Sequence, residues 1–184
     1  MNMSELLKKL ETYADSDYLP MHMPGHKRRM GDLGNPFFID ITEIDGFDDL
    51  HHAEGILKQA EERAAELYGS EETHYLVNGS TSGILAAISG CTAAGGTVLL
   101  ARNSHKSAYH AVLLRSLHVH YIYPQPAGKM GINGSVTAEN VDRLLEEHPE
   151  TKMVYITSPT YDGVVSDVEQ IAEVVHRRKL PLIV

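Results

Sequence analysis

Residues 95–123 read GGTVLLARNSHKSAYHAVLLRSLHVHYIY, and this stretch decides the fold. Gly95-Gly96 stops whatever precedes it. Thr97 to Ala101 is a short apolar run of strand length. Ser104 can cap a helix that runs through Tyr109, Val112 and Leu113. His118 to Tyr123, rich in aromatic and β-branched residues, reads as a second strand. Strand, helix and strand in succession make a crossover unit, in which the two strands lie parallel.

The same alternation extends outward. Ile56, Leu57, Ala60, Ala64, Leu67 and Tyr68 recur at helical spacing, and Gly69 can end that helix. His74 to Val77 reads as a short strand. Asn78-Gly79-Ser80-Thr81 reads as a turn whose hydroxyls cap a helix from Ser82 to about Ala93. Thr137 starts a helix carrying Val141, Leu144 and Leu145 that Pro149 ends, and Lys152 to Thr157 is a strand. Ser166, with Glu169 three residues on, forms a capping box for a helix carrying Ile171, Val174 and Val175. Arg177-Arg178-Lys179 suits that helix's C-terminal dipole. Pro181 to Val184 begins another buried strand with no turn after it, which points to a chain cut in mid-strand.

Strands alternating with helices predict an α/β fold: a partial three-layer sandwich with a mostly parallel sheet covered on both faces. The first stretch differs. A short amphipathic helix is expected over Ser4 to Tyr13, and then Pro20, Pro24, Gly25, Gly31, Gly34 and Pro36 break any regular element. The expected organisation is an irregular N-terminal arm over 1–53 and the first part of a large domain over 54–184.

Composition narrows the function. A net charge of -9 repels phosphate backbones, so nucleic acid is not an expected partner. No apolar run is long enough to span a bilayer, and the charged N-terminus lacks a signal core, so a cytoplasmic location is expected. With Cys91 as the single cysteine, no internal disulfide forms; its place beside Ile84, Leu85 and Ile88 at helical spacing predicts core packing.

In open α/β sheets, ligands bind beyond the carboxyl ends of the strands. Three such ends carry polar loops: NGSTSG at 78–83, NSHKS at 103–107 and SPTYDG at 158–163. The first is a small-residue turn entering a helix N-terminus, where free N–H groups and the dipole favour a phosphate. The second sets His105 and Lys106 in the first turn of a helix, where a histidine serves as base, stacking plate or surface cap. The third is a Pro-fixed turn flanked by hydroxyls. No metal site is expected. Pro24 and Gly25 prevent a helix between His22 and His26, His51 and His52 point apart, and His118 with His120 on one strand face has no cysteine cluster or H-E-x-x-H to support it.

HMPGHKR at 22–28 with its preceding Met21, DGFDDLH at 45–51, NGSTSG, RNSHKS at 102–107 and SPTYDG occur in an order and spacing that resemble the Orn/Lys/Arg decarboxylases, a branch of the fold-type-I pyridoxal-phosphate enzymes. The resemblance covers most of the chain. It implies pyridoxal 5'-phosphate as cofactor, with Gly79, Ser80 and Thr81 holding its phosphate and His105 stacking on its ring. Thr157, Ser158 and Thr160 would line the cofactor, and His26 and Lys27 would belong to an arm on the substrate side. The family's Asp-Glu-Ala-His segment and its Schiff-base lysine are absent from these residues. Lys106 stands in a Ser-His-Lys context but within the stacking-histidine motif. The implied activity is decarboxylation of arginine, lysine or ornithine toward polyamines by a homodimer or larger assembly of the full-length enzyme, this fragment alone being inactive. The alternatives are an aminotransferase or other fold-type-I lyase, which shares the NGST turn, and a non-catalytic fragment that self-associates through an open sheet edge.

Overall fold

A computed structural model describes residues 5–19, 34, 40–126, 128 and 131–184. They divide into two compact units, 1–73 and 74–184. The first contains α1 (Glu5–Ala14) and α2 (Ile56–Tyr68). α2 ends as its sequence requires: Gly69 takes the left-handed conformation at φ 66, and Ser70 N–H reaches back to the Ala65 carbonyl at 3.0 Å.

The start of α2 is held from a distance. The Asp48 carboxylate accepts hydrogen bonds from the N–H groups of Glu54 (3.0 Å), Gly55 (2.8 Å), Leu57 (3.1 Å) and Lys58 (3.3 Å). Led by the Glu54 N–H, with the N–H groups of Gly55, Lys58 and Asp49, backbone donors stabilise the ionised form and lower the Asp48 pKa to about 2, against the opposing effect of desolvation. Asp49 braces the next turn, accepting from His51 N–H at 2.8 Å and lying 3.1 Å from His52 Nδ1. The His51 N–H is the larger cause of its lowered pKa. Asp48 thus ties the preceding loop to the start of α2.

The second unit comprises α3 (Gly79–Cys91), β1 (Thr97–Ala101), α4 (Lys106–Leu114), β2 (His118–Ile122), α5 (Ala138–Glu147), β3 (Thr151–Tyr155), α6 (Val168–Arg177) and β4 (Leu182–Ile183). All four strands are parallel, in the order β2-β1-β3-β4. Alternate residues of β1 and β3 serve opposite faces. Leu99, Ala101, Val154 and Ile156 pack with Val141, Leu145, Ile171 and Val175 of α5 and α6. Val98, Leu100, Met153 and Tyr155 pack with Ile88, Ala108 and Ala111 of α3 and α4. Each fully buried Leu, Ile or Val contributes about 1.5–3 kcal/mol by leaving water, so these two clusters are the main source of the unit's stability. The expected three-layer α/β arrangement is therefore present.

Four local expectations are corrected. Among the described residues His74–Val77 is not a strand; the segment lies outside the four-strand sheet. α3 starts at Gly79 rather than Ser82, with no side-chain cap from Asn78. His105, not Ser104, caps α4; the Ser104 hydroxyl instead donates to the Ala101 carbonyl at 2.6 Å. Asp167, not Ser166, caps α6, its Oδ1 accepting from Gln170 N–H at 3.0 Å. Ser166 is engaged at longer range. Its buried hydroxyl accepts from Val136 N–H at 3.0 Å, pinning the segment before α5 to the segment before α6. Cys91 packs, partly buried, against the α3/α4 core as expected. Among the described residues, no helix is long and apolar enough to cross a membrane.

Candidate functional site

The entry to α3 is unusual in its backbone. Asn78 and Gly79 both have positive φ, 63 and 73, so the chain turns abruptly into the helix. Only glycine adopts that conformation without a Cβ penalty, and asparagine tolerates it better than most. The N–H groups of Gly79, Ser80 and Thr81 form the first helical turn, where no intrahelical acceptor exists. Among the described residues none of the three meets another acceptor, and all three residues are exposed. The Ser82 hydroxyl does not cap them. It is shared between the carbonyls of Val77 (2.5 Å) and Gly79 (2.8 Å). The helix entry is thus left with donors and a positive dipole end facing solvent.

The second loop follows β1. Arg102 lies over the rings of Tyr109 and Tyr121, at 5.6 and 5.5 Å, and donates to the Tyr109 hydroxyl at 2.9 Å, which fixes the strand exit. Asn103 Oδ1 is buried with no hydrogen-bond partner among the described residues. His105 then caps α4 with its ring: Nδ1 accepts from Ser107 N–H at 3.2 Å. A ring nitrogen that accepts carries no proton, so in the neutral ring this assigns the proton to Nε2. The ring itself is exposed.

Ser107 joins the two loops. Its buried hydroxyl lies 2.7 Å from His105 Nδ1 and 2.9 Å from Thr81 Oγ1. The donor-bearing entry of α3 and the histidine plate at the entry of α4 are therefore one hydrogen-bonded assembly. Lys106 is the exposed first residue of α4. The motifs single out Thr81 and His105 but give Ser107 no role. Its signal, a serine two residues after a capping residue, is common in helix starts and becomes specific only when α3 folds against α4.

The third loop emerges from β3, which neighbours β1 in the sheet. Its hydroxyls are engaged locally. Ser158 Oγ accepts from Ser166 N–H at 3.0 Å, and Thr160 Oγ1 accepts from Val164 N–H at 3.1 Å, closing a turn across a cis Ser158–Pro159 peptide. Burial pushes the Tyr155 phenol up, against a smaller opposing effect of the Thr157 side chain. Thr157, Ser158 and Thr160 thus follow β3 on the same end of the sheet as the first two loops, with Ser158 and Thr160 each serving its own turn. His26 and Lys27 lie outside the described residues.

The family model for the Orn/Lys/Arg decarboxylase major domain matches residues 4–184. An uncharacterised protein of Bacillus subtilis (strain 168), YaaO, is 37% identical over 97% of this chain and 39% of its own length. An arginine decarboxylase of the same organism is 33% identical over 95% of this chain and 37% of its own. Among solved structures, lysine decarboxylase A from Pseudomonas aeruginosa superposes with a TM-score of 0.63 at 25% identity, over 90% of this chain and 25% of that one. The chain therefore spans well under half the length of these relatives.

Proposed function

The chain belongs to the Orn/Lys/Arg decarboxylase family, and from that premise we propose that it supplies the phosphate seat and the ring plate of a pyridoxal-phosphate site in an amino-acid decarboxylase. The observation that carries this reading is the Thr81–Ser107–His105 chain of hydrogen bonds. The cofactor has an anionic phosphate at one end and a flat aromatic ring at the other. The three free N–H groups at Gly79, Ser80 and Thr81, with the Ser80 and Thr81 hydroxyls, suit the phosphate; the exposed ring of His105 suits a stacked pyridine. When bound, the cofactor supplies an electron sink for the pair left on the α-carbon as carbon dioxide departs. The residues here do the holding. Ser107 sets the distance between seat and plate, and the proton on His105 Nε2 faces outward, away from the cap.

The substrate class we infer is a basic amino acid, arginine, lysine or ornithine, with the whole protein acting in the cytoplasm as a homodimer or larger assembly and feeding polyamine formation. Thr157, Ser158 and Thr160 line the cofactor in this reading, and His26 and Lys27 lie on the substrate side. The 184 residues alone are inactive in it, because the Schiff-base lysine is not among them. The test is an assay of the whole protein with pyridoxal phosphate and each of the three amino acids. Release of carbon dioxide is the expected result; turnover only by amino transfer to a keto acid overturns the reading in favour of an aminotransferase.

A further inference from the structure

His120, His148 and Glu150 gather at the opposite end of the sheet from the three loops. His120 is in the middle of β2, aligned with Leu99 and on the face that α5 covers. His148 ends α5, and Glu150 immediately precedes β3. The two imidazole rings lie face to face, with centroids 3.4 Å apart and planes 9° from parallel. Glu150 Oε1 stands 3.4 Å from His120 Nε2 and 3.8 Å from His148 Nδ1. The three ligand atoms all lie within 4.8 Å of one another.

We propose that His120, His148 and Glu150 form a binding site for a borderline divalent transition-metal ion of the zinc class, with two nitrogen ligands, one oxygen ligand and a fourth position for water. Ligand atoms about 2.0–2.2 Å from a tetrahedral ion stand roughly 3.3–3.6 Å from each other. The glutamate-to-histidine separations are already close to that spacing. The backbones that present the ligands are fixed. His120 is held in the ladder with β1, and Thr151 locks the turn by donating its N–H (3.1 Å) and its hydroxyl (2.7 Å) to the His148 carbonyl. What must change is small. Lone pairs of parallel rings run side by side, so each ring has to turn about its Cβ–Cγ bond for them to converge. That torsion is soft in histidine. The side chains are 36% and 27% exposed, so the rings turn toward solvent without displacing the core. Two imidazoles favour zinc, cobalt, nickel or copper over magnesium or calcium. Bound there, the ion ties the outer strand β2 to the turn between α5 and β3. The ligands come from three separate elements, a grouping that departs from the sequence expectation of no metal site.

Cobalt(II) titration of the 184-residue chain tests this, because tetrahedral cobalt absorbs visibly in its ligand-field bands. The expected result is saturation at about one equivalent, with affinity lower by on the order of tenfold or more in His120→Gln and in His148→Gln, less so in Glu150→Gln, and unchanged in His110→Gln on α4. A melting temperature that cobalt raises in the parent but not in His120→Gln gives the same answer by a second route. Absence of tetrahedral bands, or bands of equal strength in His120→Gln and His148→Gln, overturns the proposal.

Discussion

Ser107 Oγ stands 2.9 Å from Thr81 Oγ1, so that a buried hydroxyl in the first turn of α4 touches the first turn of α3. The same oxygen lies 2.7 Å from His105 Nδ1. Removing it unties both ends at once. Ser107→Ala is expected to lower stability by about 0.5–1.5 kcal/mol, the net worth of a hydrogen bond, because the partners it leaves, Thr81 and His105, are exposed to water. The ring nitrogen resonances of His105 should move as well, because its acceptor bond to the hydroxyl is gone. Urea unfolding with nitrogen-detected NMR of the histidines checks both. Unchanged His105 resonances in a folded Ser107→Ala chain would show that the two loops are independent.

Ser166 makes a comparable long-range tie. Its hydroxyl is the acceptor for the buried N–H of Val136, and it stands beside the true cap, Asp167. Ser166→Ala strands a buried donor and should cost about 1–3 kcal/mol. Asp167→Ala removes a partly solvated cap and should cost about 1 kcal/mol. A larger loss for Asp167→Ala than for Ser166→Ala in urea unfolding would show that the Ser166–Val136 tie carries less than the cap.

The sheet was legible because two periodicities coincide with its layers: Val98 and Leu100 face one helix pair, Leu99 and Ala101 the other. Every strand from Thr97 onward falls within two residues of its expected place. What the sequence did not disclose are choices settled by distant neighbours. Ser104, Ser166 and the hydroxyls of Ser80 and Thr81 all look like caps by local rule. Each is displaced because a different residue reaches the orphan donors, or because none does. His74–Val77 has strand composition, but a strand also needs a ladder, and that depends on which chain segment lies alongside. The candidate site divides the same way. Gly79, Ser80, Thr81 and His105 carry motif chemistry that can be read directly, whereas Ser107 acquires its role only from the packing of α3 on α4.

Asp48 gives a pH-dependent consequence. Its pKa falls from the ordinary 3.8 to about 2 because backbone donors, the Glu54 N–H foremost, bind the ionised form. A carboxyl depressed on folding stabilises the folded state fully above its unfolded value. That contribution declines as pH drops from about 3.8 toward 2 and is absent below. Amide exchange at Gly55, Leu57 and Lys58 should therefore quicken over this window in the parent chain. In Asp48→Asn, exchange at the same amides should be fast already at neutral pH. Protection in Asp48→Asn equal to the parent's would mean that the N-terminus of α2 is held by something else.

Lys106 invites the last test, because it sits directly beside the histidine plate. Adjacent residues at a helix start do not face the same way, so a ring stacked on His105 is not presented to the Lys106 amine. The family resemblance likewise places the Schiff-base lysine outside the motif that contains His105. Incubating the 184-residue chain with pyridoxal phosphate, reducing with borohydride and mapping the peptides should therefore yield only scattered, sub-stoichiometric labelling of lysines. Free inorganic phosphate should compete with pyridoxal phosphate for the α3 entry, and replacing both Ser80 and Thr81 by Ala should weaken that competition. Stoichiometric labelling at Lys106, lost in Lys106→Arg, would mean that this chain carries its own carbonyl-trapping lysine.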